Sequence, residues 1–349
     1  MTDYRPPYWS AAVAGAGILV LYILTLSPST AMWDTSEYMA TAYILGIPHP
    51  PGNPLFVVLG KAWSLLLAPL GLSVAVRINL LAAVTSAGAA FFYFLVAHRV
   101  LWAVFPEESG VVSSKTGEDS TASPSGSRIG LLPLVGAGVA VLLSATAFTV
   151  WNQSTVNEKV YTISVFVIAA VVWLVLRWRD LKDEPRGLRY LLWAVYLLAL
   201  GSTNHLMSIL PLPALGLFVL MVGPAVLLKK ELWIRAVPLL ILGLSLNFFL
   251  PIRAAQDPVI SEGDPTCESL TSAAVSIYPN GKTGCGPLSR VLSRFQYQKP
   301  PISERQATLG AQFLNYYQYF EWQWSRGLDP NEQPGGARLP IALLFTGLG

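Results

Sequence analysis

What most constrains this chain is a succession of apolar runs, each near the length a helix needs to cross a lipid bilayer. About 30 Å of hydrocarbon takes roughly 20 apolar residues in helical form. Runs of that kind lie at 11–26, 75–101, 129–150, 161–178, 188–203, 206–228 and 232–252. Another begins at 339 and is cut off at 349, as expected of a fragment of a longer protein ending inside a further, truncated transmembrane helix. Composition points the same way: 12% of residues are charged and 53% hydrophobic, where a soluble domain carries about twice that charged fraction. Mean hydropathy is +0.50. The expected fold class is therefore an all-α polytopic membrane protein, multi-pass, with the lipid bilayer as its main solvent. The net charge is +3, with Lys and Arg clustered between apolar runs and not on one face, which argues against nucleic acid as a partner. The first run follows a polar start and lacks a convincing small-residue cleavage site before Trp33, so it reads as an uncleaved first helix.

The segment 55–68 is apolar too, but Pro54 and Pro69 bracket only 14 residues, about 21 Å of helix. With Lys61 and Trp63 in its middle, it is expected to lie in the membrane interface. Sidedness follows from the basic clusters Arg177, Arg179, Lys182, Arg186, Arg189 and Lys229, Lys230, Arg235, which mark two loops as cytoplasmic. Counting back, the N-terminus is inside and the loop 27–76 outside. A transmembrane module of residues 1–252 would then precede an extracytoplasmic segment 253–338 with helical stretches at 289–295 and 306–324. Residues 106–128, rich in Ser, Gly, Thr and charge, form a cytoplasmic loop of disordered composition. Cys267 and Cys285 both fall in the outer segment and suit one disulfide if that compartment is oxidising, two unpaired thiols being the alternative. The aromatic set Tyr316, Tyr317, Tyr319, Phe320, Trp322 and Trp324 suits interface anchoring better than sugar stacking.

Candidate chemistry gathers on the outer side. Asp34 and Glu37 stand three residues apart at the start of a short helix, where one turn aims both the same way. The same spacing is a capping box, with Asp34 as N-cap and Glu37 at the third helical position, and taken alone the cap is the simpler account. The company of these residues favours a site. His49 is held in the stiff turn Pro48-His49-Pro50-Pro51-Gly52. Arg77 and Asn79 open the next span, and charges at such depths are costly. Glu158 with Tyr161, Asn204 with His205, and Arg253 lie at outer edges and should converge on one surface. For Arg77 and Arg253, snorkelling at a helix end is an equal alternative. His98, near the inner end of a span, is most simply an interfacial residue.

This arrangement resembles the GT-C glycosyltransferases, membrane enzymes that use polyprenyl-phosphate-linked sugars. Their acidic motif, His-Pro-Pro element, interfacial helices and Arg opening the second span match Asp34 and Glu37, His49-Pro50-Pro51, 55–68 and Arg77. A closer similarity is to the transmembrane protein 260 family, related to protein O-mannosyltransferases. It is carried by Trp-Asp-Thr-Ser-Glu at 33–37, Gly46-Ile47-Pro48-His49-Pro50-Pro51-Gly52, Arg77-Ile78-Asn79-Leu80, Asn157-Glu158 through Tyr161-Thr162, Pro251-Ile252-Arg253, Gly263-Asp264-Pro265 and Gln296-Tyr297. The segment 266–286 shows no such pattern and reads as a local insertion.

The resemblance implies a GT-C-type helix bundle that transfers a sugar, mannose first, from a polyprenyl-phosphate carrier to a protein Ser/Thr hydroxyl by inverting displacement. Asp34 would be the general base and Glu37 would orient it or the acceptor. Arg253, Arg77 and His205 would receive the departing phosphate, with His49 on sugar or acceptor and Asn79, Glu158, Tyr161 and Asn204 completing the pocket. No cofactor and no metal are required by this scheme, although two carboxylates and a His can hold a divalent ion. A lipid or glycan acceptor, or a transporter or flippase for a lipid-linked or anionic solute, are the competing readings. The membrane is expected to be a bacterial plasma membrane, with the site on its periplasmic face.

Overall fold

The computed structural model describes residues 4–31, 34–105, 130–156, 159–262, 267–276, 285–295, 304, 306–326 and 338–348. Among these, helices account for the regular structure, apart from one isolated parallel bridge between Ile47 and Ser261. In chain order the α-helices are α1 (Tyr8–Leu24), α2 (Thr35–Ile44), α3 (Pro54–Leu66), α4 (Val74–Val104), α5 (Leu131–Thr146), α6 (Phe148–Thr155), α7 (Lys159–Asp180), α8 (Gly187–Ser202), α9 (Leu212–Val222), α10 (Lys230–Leu244), α11 (Phe249–Ala254), α12 (Leu270–Val275), α13 (Gly286–Leu292), α14 (Leu309–Ser325) and α15 (Arg338–Leu348). The protein is an all-α polytopic membrane protein. The cytoplasmic loop expected at 106–128 lies outside the described residues.

The bundle is organised around α4. Its first turn is closed by Ser73, whose hydroxyl accepts from the Val76 amide, and its 31 residues reach about 46 Å, enough to cross a bilayer with tilt. Its buried face is made of Ala82, Ala83, Ser86, Ala87, Ala89 and Ala90, small residues that let neighbouring backbones approach closely. α1 packs there so tightly that a Cβ on Gly15 would lie 3.1 Å from the Ala87 carbonyl. On another face α7 seats Phe166 against Gly88. α8 packs on α7, and α10 on α8.

Among the described residues three stretches are long and apolar enough to cross a membrane unaided: α4, α7 and Lys230–Ala254. The sequence anticipated single helices at 129–150 and 206–228, and the structure breaks both. Ala147 takes an extended backbone, ψ 134°, so α5 and α6 meet at 67°. Pro211, Pro213 and Pro224 divide the other run into a 3₁₀ turn, α9 and a second 3₁₀ turn, because each proline removes an amide donor.

The two ends of the bundle differ. At one end Arg99 makes a two-pronged bond to Asp180 (Nε 3.1 Å, Nη2 2.8 Å), Arg177 adds a 3.2 Å contact, and Lys182 donates to the Val222 carbonyl. His98, expected at an interface, is instead fully buried here, its Nδ1 3.0 Å from the Tyr4 hydroxyl. At the other end the loop after α1, the turn after α8 and the segment after α11 meet. Ser27 donates to Thr155, Leu55 to Thr203, Ile47 to Ile260 and Glu262 to Ile47. Behind the Ile47 bridge a small core of Leu250, Ala273, Leu288 and Val291 encloses the Cys267–Cys285 disulfide.

Candidate active site

The acidic motif opens α2 without capping it. Asp34 occupies the N-cap position with helical backbone angles, and its side chain makes no bond to the helix amides. Glu37, which a capping box would turn back to that end, instead reaches forward to the His49 turn. Its Oε1 accepts from the His49 backbone amide at 2.6 Å and its Oε2 lies 2.7 Å from His49 Nδ1. The capping-box account of this spacing is therefore not the one the fold adopts.

The chain can fold back this way because α2 stops abruptly. Leu45 ends it in the left-handed region, φ 58°. Gly46 then passes so close to the segment after α11 that a Cβ would sit 2.7 Å from the Ile260 carbonyl. Gly52, at φ 83°, turns the chain into α3, which starts with Pro54 at its first position.

An ionised Glu37 only accepts, so His49 Nδ1 carries a proton toward it, and Nε2 faces the Tyr38 hydroxyl, 3.0 Å away. Burial pushes the Glu37 carboxyl up, but the side-chain and backbone hydrogen bonds from His49, with its charge, outweigh this and hold it below the usual carboxylate range. Asp34 Oδ2 stands 3.8 Å from His49 Nε2. Its side chain is 37% exposed, against 25% for Glu37 and 14% for His49, so of the three it is the most open to solvent.

A polar chain continues inward from this cluster. The Tyr38 hydroxyl is 3.5 Å from Asn53 Oδ1, and the Asn53 amide donates to the Asn204 carbonyl. Asn204 Nδ2 in turn donates to the Val160 carbonyl (2.7 Å) and Ser164 Oγ (2.9 Å) on α7. Asn204 is fully buried, so it locks the site to α7 and does not line a ligand pocket. Its neighbour His205 is at the site. Nδ1 accepts from the Met207 amide, and the ring meets Tyr161 edge-on at 5.2 Å. Burial, then the charges of Arg294 and His49, draw its pKa below the ordinary histidine value.

Not every residue singled out in the sequence arrives here. Arg77 donates to the Leu72 and Ser64 carbonyls, bracing the turn between α3 and α4. Ser64 lies ten residues along α3 from Pro54, about 15 Å of helix away from the His49 turn. Asn79 is fully buried and bonds the Ser27 and Ser29 carbonyls, fixing the loop that leads to Asp34. Both brace the frame of the site in this structure, where the expectation was contact with phosphate or sugar. Arg253 bonds the Leu45 carbonyl at 2.8 Å and Gln256 at 2.7 Å, at the end of α2. Glu158, with Asn157, lies outside the described residues. Arg294, whose charge acts on His205, was not anticipated. Its signal was its place two residues before the Gln296-Tyr297 pair.

Next to His205 and Tyr161 opens a cavity of about 600 Å³ among α4, α5, α6 and α7. Ala90, Tyr93, Val141 and Val165 form its apolar depth, and Gln153, Tyr161, Thr162 and Met207 contribute to its wall nearer the site. As for metals, one donor atom each of Asp34, Glu37 and His49 fall within 4.8 Å of one another. A divalent ion there would compete with the bond between Glu37 and His49.

A family model described as the protein O-mannosyl-transferase TMEM260 N-terminal domain matches residues 34–226, more than half of the chain. The match begins at Asp34 and includes Glu37, His49 and His205, while Arg253 and Arg294 lie beyond it. The chain is similar to the Protein O-mannosyl-transferase TMEM260 of Mus musculus, 37% identical over 99 residues, which are 27% of this chain and 14% of that protein. It is similar also to the Protein O-mannosyl-transferase tmem260 of Dictyostelium discoideum, 34% identical over 83 residues, 24% of this chain and 10% of that protein. The matched stretches thus span a seventh or less of those relatives. No solved structure matches.

Proposed function

We propose, because this chain belongs to the protein O-mannosyl-transferase TMEM260 N-terminal domain family, that it is a membrane glycosyltransferase moving mannose from a polyprenyl-phosphate carrier to a protein Ser/Thr hydroxyl. The observation that carries this reading is the division of labour in the acidic motif. Glu37 is fixed on His49, while Asp34, uncommitted to the helix end, remains the more exposed carboxylate.

In the reaction the acceptor oxygen attacks the anomeric carbon as the bond from that carbon to the phosphate oxygen breaks. The hydroxyl proton passes to Asp34, the configuration inverts, and the electron pair leaves with the phosphate. His205, Arg294 and Arg253 are the groups on hand to receive that charge. Residues on one helical turn do not flank a sugar bond from both sides, which disfavours paired-carboxylate hydrolysis. The apolar cavity beside His205 suits the prenyl chain of a lipid-linked donor, and this supports a GT-C-type arrangement.

The proposed sidedness is extracytoplasmic, the periplasmic face if the membrane is a bacterial plasma membrane. Support comes from the basic loops gathered at the opposite end of the bundle and from a disulfide at the site end. One observation favours a carrier instead: the break between α5 and α6 adjoins the cavity, and broken helices mark transport sites.

The test is transfer of radiolabelled mannose from polyprenyl-phosphate mannose to a Ser/Thr acceptor in membranes holding the full-length protein. Asp34→Asn should lower the rate by about 10²–10⁴-fold, as loss of a general base does. Equal background for protein and variant, with this and other lipid-linked sugars, would move the carrier reading to the front.

A further inference from the structure

A second cavity, of about 430 Å³, opens at the same end of the bundle, between α6 and the helix pair α14 and α15. Its rim includes Thr25 and Thr155, beside the bond from Ser27 to Thr155 that carries the chain toward Asp34. Phe148, Trp322, Trp324 and Phe345 wall it, and Trp324 stacks on Phe345 at 5.8 Å. Into this aromatic setting points Arg326, its guanidinium 4.3 Å from the Phe148 ring centre and 4.7 Å from that of Trp322.

The polar inventory of this cavity is one-sided. Among the described residues no carboxylate lines it, and Arg326 has no ion pair. The Trp322 indole N–H is buried without an acceptor. Its Thr25, Thr146 and Thr155 hydroxyls and the Gln323 side chain are already engaged with the backbone. What it offers a guest is therefore a guanidinium and an indole N–H, with the Asn152 amide beside them, all able to donate. A ring face attracts a guanidinium but leaves its in-plane N–H groups unused. The fitting guest is an acceptor-rich anion. The exposed apolar and aromatic residues of α14, Phe313, Leu314, Tyr316 and Tyr319, suit a membrane interface, where such anions are carried on lipids.

We infer that this cavity binds the phosphate group of a membrane lipid, with Arg326 and the Trp322 N–H as its donors, as a site separate from the acidic motif. Loss of a charge-assisted hydrogen bond weakens binding by about 10-fold or more. The experiment uses the full chain purified in detergent, with bound lipid counted by native mass spectrometry. The probes are dioctanoyl phosphatidylglycerol, dioctanoylglycerol and inorganic phosphate. Expected are saturable 1:1 binding of the phosphatidylglycerol, at least about 10-fold tighter than dioctanoylglycerol, and loss of that preference in Arg326→Gln. Arg326→Lys should keep part of it. Trp322→Phe, which retains the ring and removes only the N–H, should weaken binding about 3-fold at unchanged melting temperature. Equal affinity for both lipids, or an Arg326→Gln variant that binds like the parent, would overturn the site. Inorganic phosphate binding as tightly as phosphatidylglycerol would overturn the lipid as its source.

Discussion

Glu37→Gln separates the two accounts of the acidic motif more sharply than any other substitution. Gln serves a capping box as well as Glu does, so a helix-end role predicts a silent change. The structure predicts damage. Glu37 accepts two bonds from His49, at 2.6 and 2.7 Å, and an amide can accept only through its oxygen. Its NH₂ must then face either the His49 backbone amide, donor against donor, or Nδ1. Facing Nδ1, it forces the imidazole proton onto Nε2, where the Tyr38 hydroxyl and Asp34 now sit.

A hydrogen bond to a charged group contributes about 1.5–3 kcal/mol, so the ordered turn loses about 10- to 150-fold in population. On the proposed function, mannosyl transfer measured over a range of donor and acceptor concentrations should show kcat down by about 10-fold or more, with the donor KM little changed, because both Glu37 oxygens are engaged by His49. Nitrogen NMR of labelled His49 should report the loss of the Nδ1 proton. Retention of kcat within about 2-fold would refute the argument, since a bond of that class cannot be lost so lightly. A rise confined to donor KM would reassign Glu37 to binding.

Three further outcomes are expected. Folded His205 has a depressed pKa, so the unfolded chain binds the extra proton first. Its contribution to stability is full above the ordinary value of about 6.5 and falls as pH drops through the depressed one. Glu37, also depressed, adds a second loss below about pH 4.3, and thermal melts of His205→Asn should lack the first step. Asp180→Asn removes the partner of Arg99 and Arg177 where the acid and Arg99 side chains are each 4% exposed; it should destabilise the protein by about 3–5 kcal/mol in detergent unfolding, with Arg99→Met/Asp180→Leu recovering only part of it, because Arg177 still lacks its carboxylate. Chelation should leave transfer within about 2-fold, because the bond between Glu37 and His49 competes with any cation for the same donors; restoration of a lost rate by manganese would overturn this.

The sequence was most legible where one physical requirement dominates. Hydrophobic thickness made α4 and α7 visible to within a few residues, and the two prolines around 55–68 delimited α3 as a helix too short to span. His49 was readable because a ring held between prolines has few packing uses. The break at Ala147 was not, since neither Ala147 nor its neighbours carry a breaker; its extended backbone is set by contacts such as the bond from Ser154 to Ser86, which belong to tertiary structure. Arg77 and Asn79 were ambiguous for a related reason. A polar residue at the mouth of a span satisfies a loop carbonyl or a ligand equally well in sequence, and only the positions of Ser27, Ser64 and Leu72 distinguish the two.

The polar chain from Glu37 to Ser164 explains how a site built on a surface turn can be held rigidly. The turn 46–52 buries Ile47 in the small core beside Leu250, and polar bonds fix the rest of it. Its His49 is tied to Glu37 and Tyr38, Tyr38 to Asn53, and Asn53 to Asn204, which ends on the α7 backbone. The same first turns of α7 present Tyr161, Thr162 and Val165 to the apolar cavity. α7 therefore carries both the frame of the acidic motif and a wall of the proposed lipid groove. A small shift of α7 would move the acidic motif and the cavity wall together, so their separation is fixed by one helix and not by the docking of two mobile parts. Buried amides are suited to that task, since an Asn that loses either partner in a dry interior leaves a donor unsatisfied, and each such loss is costly.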